Sequence, residues 1–224
     1  RCIRDSSYLM ASTTKIMTAL VALEHYKSDD IITIQSANVI PAVVGYQLGE
    51  KVRFNDVLYG MLLPSGNDAA LAIAQNYPGG ESAFIKRMNE KAKELSLHNT
   101  HFSDASGLSN GNYTTVLELA QLTSIVLQNP AFANVVRTKE IKTTNFDGTK
   151  SYVLTNLNQL LGTYGVTGVK TGFTPDAGGI LVTSSKDNGH TIIYVVMNSE
   201  DRFADTERLL LTAFGHVRFL NITP

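Results

Sequence analysis

The sequence predicts an α+β fold in which an antiparallel sheet is flanked by helices. Helical patterns fill the middle of the chain, strand patterns follow them, and a last helical pattern closes the chain. No linker divides the 224 residues. We therefore expect a single domain over 1–224 that contains a helical subdomain at approximately 30–130.

The composition is that of an ordinary globular protein. The chain has 19 Lys and Arg against 20 Asp and Glu, with 43% hydrophobic and 17% charged residues. This balance excludes a disordered chain and gives no reason to expect nucleic-acid binding. Cys2 is the only cysteine, which excludes an internal disulfide and a multi-cysteine metal site. No apolar run has the length of a membrane span, so we expect no membrane attachment to be encoded in this chain.

The first long element is a predicted helix over 12–26. Ser12 and Thr13 have the chemistry of helix N-caps, and the rest of the segment lacks Gly and Pro. Apolar side chains cover almost the whole circumference of this helix. Such a helix belongs in the middle of a protein.

Breaks at Pro and Gly divide the middle of the chain into further helices. Pro64 ends one helix, a Pro-Gly-Gly turn at 78–80 ends another, and Asn129-Pro130 follows the last. A segment rich in Ser, Asn and Gly at 98–113 is a predicted loop. The predicted elements are a strand over 30–35 and helices over 55–63, 67–75, 81–95 and 114–128.

The hydrophobic period changes in the later part of the chain. Asp187-Asn188-Gly189 is the strongest hairpin signal, because β-like segments flank it on both sides. A turn at 146–148 separates another such pair. The predicted elements are strands over 135–144, 150–155, 179–185 and 191–198, and a closing helix over 201–214.

Three short motifs carry the candidate chemistry. In the first, Ser12 and Lys15 are three residues apart, so on a helix the hydroxyl and the ammonium group lie on one face. A serine hydroxyl needs a base to become a nucleophile, and a lysine can be that base where burial and a neighbouring cation lower its pKa. The apolar sequence around Lys15 supplies the burial, and Lys170 is the candidate cation. The motifs are Ser12-Thr13-Thr14-Lys15, Ser65-Gly66-Asn67 and Lys170-Thr171-Gly172.

Each motif alone also has a purely structural interpretation. The first is typical of a helix cap, the second of a turn and the third of a strand end. Their order and context together favour the catalytic interpretation. Asp68 is expected to cap a helix. His98 and His101 are spaced like a metal pair, but the sequence offers no third ligand, so we expect no metal.

Longer segments around the motifs extend the pattern. They are Ala11-Ser12-Thr13-Thr14-Lys15-Ile16-Met17-Thr18, Met61-Leu62-Leu63-Pro64-Ser65-Gly66-Asn67-Asp68-Ala69-Ala70 and Gly168-Val169-Lys170-Thr171-Gly172-Phe173-Thr174. Together they resemble the low-molecular-mass penicillin-binding proteins and, among these, the D-alanyl-D-alanine carboxypeptidase family. The segments 100–102, 106–108 and 198–203 are also similar to that family, so the resemblance runs from Met10 to about Phe219.

The resemblance implies a role for each motif. Ser12 attacks the peptide bond between two D-alanines, Lys15 takes its proton, and Ser65 relays a proton. The backbone N–H groups of Ser12 and Phe173 bind the oxyanion. The other implied residues bind the substrate. Asn67 binds the substrate amide, Lys170 acts through its charge, and Thr171 binds the terminal carboxylate. Gly172 and Phe173 line the site beside them.

Arg202 is a further candidate for the terminal carboxylate of the substrate. It lies in the segment 198–203, after a strand that pairs with the strand following the third motif, so we expect it at the same end of the site. The planar fork of arginine matches a carboxylate in two parallel hydrogen bonds. Glu200 and Asp201 are alternative partners for it.

The implied substrate is the peptidoglycan stem peptide that ends in D-Ala-D-Ala, and β-lactams are the implied inhibitors. The resemblance implies no cofactor. It also implies an extracytoplasmic location in the bacterial envelope, secreted or peripheral to the outer face of the cytoplasmic membrane. The balance between hydrolysis and transpeptidation stays open, because it depends on which acceptor reaches the acyl-enzyme.

Two departures from the family pattern concern the ends of the chain. Only eleven residues precede Ser12 and the given sequence ends at Pro224, so we expect the N-terminal strands and the C-terminal β-domain that are usual in the family to be missing from this chain. We expect one sheet edge to be unpaired, which favours weak stability or an edge-mediated dimer. Because the chain begins with Arg1 and not Met, we also expect it to be processed or excised from a longer chain.

Two other functions are weighed against the carboxypeptidase. A class A β-lactamase needs a glutamate followed four residues later by an asparagine, whereas Glu118 is followed by Leu122 and Glu140 by Thr144. A non-catalytic module that holds cell-wall peptides would have no need of an activated nucleophile. Both are therefore weaker than the carboxypeptidase.

Overall fold

The structure is a computed structural model, and it describes residues 5–36, 41–187, 189–213 and 216–217. Cys2 and Asn188 lie outside the described residues. No helix in the described part of the chain combines the length and the apolarity of a transmembrane span. The helices are α1 (Lys15–His25), α2 (Phe54–Leu62), α3 (Asn67–Asn76), α4 (Gly80–Glu94), α5 (Val116–Val126), α6 (Pro130–Val136) and α7 (Arg202–Ala213). The strands are β1 (Ser7–Leu9), β2 (Ile31–Thr33), β3 (Lys51–Arg53), β4 (Tyr113–Thr115), β5 (Glu140–Thr144), β6 (Ser151–Thr155), β7 (Val166–Thr174), β8 (Gly178–Asp187) and β9 (His190–Ser199).

The main sheet has three antiparallel strands in the order β7-β8-β9. The strands β8 and β9 form the hairpin that the sequence predicts. The sequence does not predict β7, because Gly165, Gly168 and Gly172 give this stretch a low strand propensity. Pairing with β8, where Thr171 lies opposite Leu181, overrides that propensity. The third motif therefore lies inside a strand and not before one.

The predicted strand over 135–144 is wrong in its first part. Residues Pro130–Val136 form α6, and the strand β5 begins only at Glu140. The Asn129 side chain caps α6 by accepting a hydrogen bond from Ala131 N at 2.9 Å. A proline at the first helical position needs no partner for an amide hydrogen. The Asn-Pro pair thus starts a helix as well as ending the one before it.

The chain ahead of the first motif contributes one short strand. The strand β1 pairs with β4, with Tyr8 opposite Thr114, in a two-stranded sheet separate from the main one. Among the described residues, β9 has a paired strand on one side only. The strand β7 likewise pairs only with β8, so the described part of the main sheet has two unpaired edges, and the weak stability or dimerisation expected from an unpaired edge stays a prediction.

The helices enclose the first motif. Eight consecutive residues of α1, at 15–22, are buried, which confirms the predicted central helix. Ser12 does not cap this helix, contrary to the prediction, because Ala11–Thr14 form a 3-10 turn ahead of α1. The hydroxyl that stabilises the turn is that of Thr13, which donates to the Met10 carbonyl at 2.6 Å. One hydrophobic core joins α1 and the helices around it to β7 and β8.

Candidate active site

The first motif brings its two reactive groups into contact. Lys15 Nζ lies 3.1 Å from Ser12 Oγ, as the three-residue spacing predicts. The same Nζ donates to Asn67 Oδ1 at 2.7 Å and to the Ser106 carbonyl oxygen at 2.6 Å. Lys15 is fully buried, whereas Ser12 is only half-buried. The serine can therefore meet a substrate while the lysine behind it stays shielded from water.

Burial changes the protonation of this lysine. It lowers the pKa of Lys15 from 10.5 to about 7 and outweighs the opposing attraction of Asp104 and Asp68. A lysine with such a pKa is neutral in a substantial fraction of molecules at pH 7, far more than an ordinary lysine. A neutral lysine in contact with a serine hydroxyl can accept its proton.

A second buried lysine lies on β7. Lys170 is 1% exposed, and its Nζ donates to the Thr171 carbonyl at 3.0 Å. Burial, followed by repulsion from Lys15 and Arg202, lowers the pKa of Lys170 well below its usual value. The expectation that Lys170 depresses the pKa of Lys15 is corrected accordingly. Burial causes the shift of Lys15, and the repulsion between the two ammonium groups acts on Lys170.

The second motif spans the end of the turn between α2 and α3 and the first residue of α3. Ser65 adopts a left-handed φ of 67°, and its buried hydroxyl oxygen has no hydrogen-bond partner among the described residues. Asn67 accepts from Lys15 through Oδ1 and donates to the Pro41 carbonyl through Nδ2. Since a primary amide has two N–H groups, one of them remains for a substrate carbonyl. A strained residue with an unpaired buried hydroxyl is typical of a functional site.

Asp68 anchors a loop and also binds the first turn of α3, where it accepts a hydrogen bond from Ala69 N at 2.9 Å, although it is not the N-cap residue. Its carboxylate accepts hydrogen bonds from the backbone N–H groups of Val44 and Gly45 at 2.9 Å and of Tyr46 at 3.3 Å. The N-cap position of α3 belongs to Gly66. The three loop partners lie 22 to 24 residues away along the chain, so no local sequence pattern reveals them.

The strand β7 lies directly against the turn that holds Ser12. A Cβ placed on Gly172 would lie 3.3 Å from the Met10 carbonyl oxygen and 3.4 Å from the Ala11 Cβ, so the absence of a side chain permits this approach. Phe173, the next residue, is 64% exposed. The structure thus brings the first and third motifs together, as an oxyanion site between the N–H groups of Ser12 and Phe173 requires.

Arg202 lies beside the third motif, at the end of the site where the sequence predicts it. It is the first residue of α7, and its Nη1 donates to the Gly172 carbonyl at 2.8 Å. The guanidinium lies over the Phe203 ring, 5.0 Å from the ring centroid. Its Nε is buried without a hydrogen-bond partner in the described ranges. Arg202 therefore keeps donor capacity for a ligand while it holds the backbone of β7.

The Ser106 carbonyl is the member of the site that sequence reasoning misses. It belongs to the predicted loop and lies 91 residues from Lys15 along the chain. A backbone acceptor has no side-chain signature, so the only available signal is the resemblance of 106–108 to a family segment. The contact nevertheless uses one of the three N–H positions of the Lys15 ammonium group.

A serine hydroxyl in contact with a buried lysine whose pKa is lowered is the arrangement that nucleophilic serine catalysis needs, and it fits the class of serine hydrolases. Known proteins specify the class further, because the family model for D-alanyl-D-alanine carboxypeptidases matches residues 4–201. The chain belongs to the D-alanyl-D-alanine carboxypeptidase family.

Relatives of known function and structure agree with this membership. The D-alanyl-D-alanine carboxypeptidase of Streptomyces sp. strain K15 is 40% identical over 94% of this chain and 80% of that protein. DacF of Bacillus subtilis, a D-alanyl-D-alanine carboxypeptidase, is 35% identical over 92% of this chain, which spans 56% of that relative. The crystal structure of the Streptomyces K15 DD-transpeptidase has a TM-score of 0.87 at 35% identity and covers 94% of this chain and 89% of its own. The α+β fold predicted from the sequence is confirmed by this likeness.

The lowered pKa of Lys15 predicts the pH dependence of acylation. The base must be neutral, and its pKa is about 7, so the rate should rise as pH increases through about 7 and level off above it. The second-order rate constant for acylation by a penicillin, measured from pH 5.5 to 9, checks this. A rate that still rises steeply between pH 8 and pH 9, as for an ordinary lysine, would contradict it.

Proposed function

We propose that this protein is a serine-type D-Ala-D-Ala carboxypeptidase that removes the terminal D-alanine of peptidoglycan stem pentapeptides through an acyl-enzyme on Ser12. The observation that carries the proposal is the 3.1 Å contact between Ser12 Oγ and the buried Lys15 Nζ. Family membership supplies the substrate class.

The first half of the reaction begins with Lys15 as a neutral amine. Lys15 takes the hydroxyl proton while Ser12 Oγ bonds to the carbonyl carbon of the penultimate D-alanine, and the N–H groups of Ser12 and Phe173 bind the oxyanion. Ser65 relays the proton to the leaving nitrogen, a role that its unpaired buried hydroxyl supports. The C–N bond then breaks, the terminal D-alanine leaves, and an ester remains on Ser12.

Water completes the second half of the reaction. Lys15 is neutral again, because its proton left with the amine, and it can now activate a water molecule that attacks the ester. The products are the shortened peptide acid and the restored Ser12 hydroxyl. A β-lactam follows the same first half, but its nitrogen stays attached to the acyl group. No amine departs, so the acyl-enzyme persists.

The remaining residues of the site bind the substrate. The free N–H of Asn67 is available to a substrate carbonyl, and Lys170, when protonated, stabilises negative charge next to the nucleophile. Thr171 and Arg202 hold the terminal carboxylate, with Gly172 fixed by the bond from Arg202 to its carbonyl. A site that holds this carboxylate selects chain ends over internal peptide bonds.

The β-lactamase alternative is weakened by the position of Glu118. Its carboxylate accepts hydrogen bonds from Asn99 N at 2.9 Å and from Thr100 Oγ1 at 2.5 Å, and it is 6% exposed. It anchors the start of the 98–113 segment and is not available to activate a water molecule for deacylation. The non-catalytic alternative is weakened by the depressed pKa of Lys15, which a purely structural lysine does not need.

A fluorescent penicillin separates the three functions. A carboxypeptidase forms a stable adduct, a β-lactamase turns the compound over rapidly, and a binding module is not labelled. Release of D-alanine from a peptide that ends in D-Ala-D-Ala is measured alongside. We expect a stable adduct and D-alanine release, and failure to observe both would contradict the proposed function.

Arg202→Ala is expected to impair recognition of the substrate carboxylate. Loss of the ion pair between the Arg202 guanidinium and the terminal carboxylate of the substrate should cost roughly 2–4 kcal/mol of transition-state stabilisation in D-alanine release. The loss should be smaller for a substrate whose terminus is amide-capped, because it has no carboxylate to bind. The exposed Arg208, on the same helix, provides the control variant Arg208→Ala. Equal losses on capped and free substrates would mean that Arg202 only supports β7.

The substrate class also bears on location. Peptidoglycan lies in the bacterial cell envelope, so the enzyme acts there. Within the envelope we expect an extracytoplasmic protein, secreted or peripheral to the outer face of the cytoplasmic membrane. Fractionation of cells that produce this protein naturally tests this expectation.

A further inference from the structure

The three partners of Lys15 Nζ differ in their hydrogen-bonding capacity. Asn67 Oδ1 and the Ser106 carbonyl, at 2.7 and 2.6 Å, can only accept, whereas the Ser12 hydroxyl, at 3.1 Å, can also donate. A neutral amine has two N–H groups and one lone pair. When it donates to the two pure acceptors, its lone pair is left to face Ser12. The Ser106 carbonyl therefore helps to aim the base at the nucleophile.

A single carboxylate fixes the backbone around this carbonyl. Asp104 Oδ1 accepts hydrogen bonds from Ser106 N at 2.7 Å, from Ser106 Oγ at 3.1 Å and from Gly107 N at 2.5 Å. Asp104 Oδ2 accepts from Ser109 N at 2.5 Å. Asn112 Oδ1 in turn accepts from the backbone N–H of Asp104 at 3.3 Å. The turn at 104–109 is thus organised around one side chain.

The same turn presses against the residue that precedes the nucleophile. Gly107 has a φ of +91°, and a Cβ placed on it would lie 1.8 Å from the Ala11 carbonyl oxygen. Only glycine fits this contact. A displacement of this turn would therefore affect Ser12 in two ways. It would shift Ala11, the residue before Ser12, and it would move the Ser106 carbonyl that binds Lys15 Nζ.

We propose that Asp104 is a positioning residue for the reaction: it holds the Ser106 carbonyl on Lys15 Nζ and so aims the lone pair of the neutral lysine at Ser12. Its negative charge acts on the same lysine through space. The inference rests on the proposed role of Lys15 as the base.

The charges around Lys15 give this role a measurable signature. Asp104 and Asp68 raise the pKa of Lys15 against the effect of burial. Lys170 is the neighbouring cationic group, and the repulsion between it and Lys15 acts on the pKa of Lys170. Burial raises the pKa of Asp104 itself, but the hydrogen bonds of its turn outweigh burial and lower it, so the carboxylate is charged at neutral pH. Removal of that charge should lower the pKa of Lys15 further.

Asp104→Asn tests the proposal. The amide oxygen can still accept from Ser106 N and Gly107 N, but the side chain has no charge, and the NH2 group that replaces Oδ2 cannot accept from Ser109 N. We expect the rate of acylation by penicillin to fall about tenfold to a hundredfold from misplacement of the base. We also expect the rise of rate with pH to move about one pH unit lower. Asp176→Asn is the matched control, since exposed Asp176 accepts a hydrogen bond at 2.6 Å from Asn110 of the same loop but does not contact Ser106.

Asp104→Glu separates charge from position. This variant keeps the negative charge but displaces the carboxylate. The rate of acylation should therefore fall, while its increase with pH should stay at the pH seen for the wild type. The proposal is overturned if Asp104→Asn leaves the acylation rate unchanged, or if the acylation rate of this variant increases with pH over the same range as that of the wild type. If thermal unfolding shows that Asp104→Asn does not fold, an unchanged rate in Asp104→Glu overturns it instead. Wild-type protein that is not acylated at Ser12 would overturn the proposed function, which is a different outcome.

Discussion

Ser12→Ala is expected to abolish covalent labelling by penicillin and to lower the rate of D-alanine release by a factor on the order of 10⁶, the scale for the loss of a serine nucleophile. Ser65 should not take over, because Lys15 Nζ contacts Ser12 Oγ, whereas Ser65 Oγ has no partner in the described part of the chain. The fold should persist, since Thr13 and not Ser12 makes the hydroxyl bond that closes the 3-10 turn.

Intact mass and D-alanine release measure this result directly. Ser82→Ala, at an exposed serine of α4, is the control for the same chemical change elsewhere in the molecule. Its labelling and turnover should equal those of the wild type. Stable labelling of a folded Ser12→Ala protein would show that another hydroxyl is the nucleophile.

Lys15→Arg is expected to have the second largest effect. The guanidinium keeps the positive charge, but its pKa stays above about 12, so it cannot accept the Ser12 proton. We expect the acylation rate to fall by about 10²–10⁴, the usual contribution of a general base. The rise of rate through pH 7 should disappear with it, because the group that titrates there is Lys15.

The pH profile distinguishes this loss from a structural defect. Lys142→Arg, at an exposed position of β5, is the matched control and should retain the wild-type profile. Thermal unfolding of Lys15→Arg shows whether the larger side chain is tolerated at a fully buried position. Substantial acylation by a folded Lys15→Arg protein would mean that another group removes the Ser12 proton.

The parts of the fold that sequence reasoning predicts are those with local signals. The apolar circumference of α1 and the pairing of β8 with β9 are predicted from neighbouring residues, and both agree with the structure. The glycine-containing strand β7 and the three-residue strand β1 depend on partners far along the chain. No local pattern can supply those partners, so both strands are missed.

The candidate site divides in the same way. Its motifs are predictable because acyl transfer needs particular side chains at fixed spacings, such as Ser12 and Lys15. The groups that hold them are not predictable, because they pair with backbone atoms that any sequence provides. Asp68 and Asp104 have the local sequence features of ordinary cap or turn residues. Asp68 nevertheless binds four backbone N–H groups and Asp104 binds three, and each organises a loop beside the lysine.

Peptide mapping after incubation with penicillin tests most directly whether Ser12 is the nucleophile. Opening of the β-lactam ring expels no atoms, so the modified peptide should gain the full mass of one penicillin. Trypsin separates the candidates, since residues 5–15 contain Ser12 and residues 54–86 contain Ser65. We predict one adduct per chain, on Ser12 within 5–15. An adduct within 54–86, or unmodified peptides from a folded protein, would contradict the account.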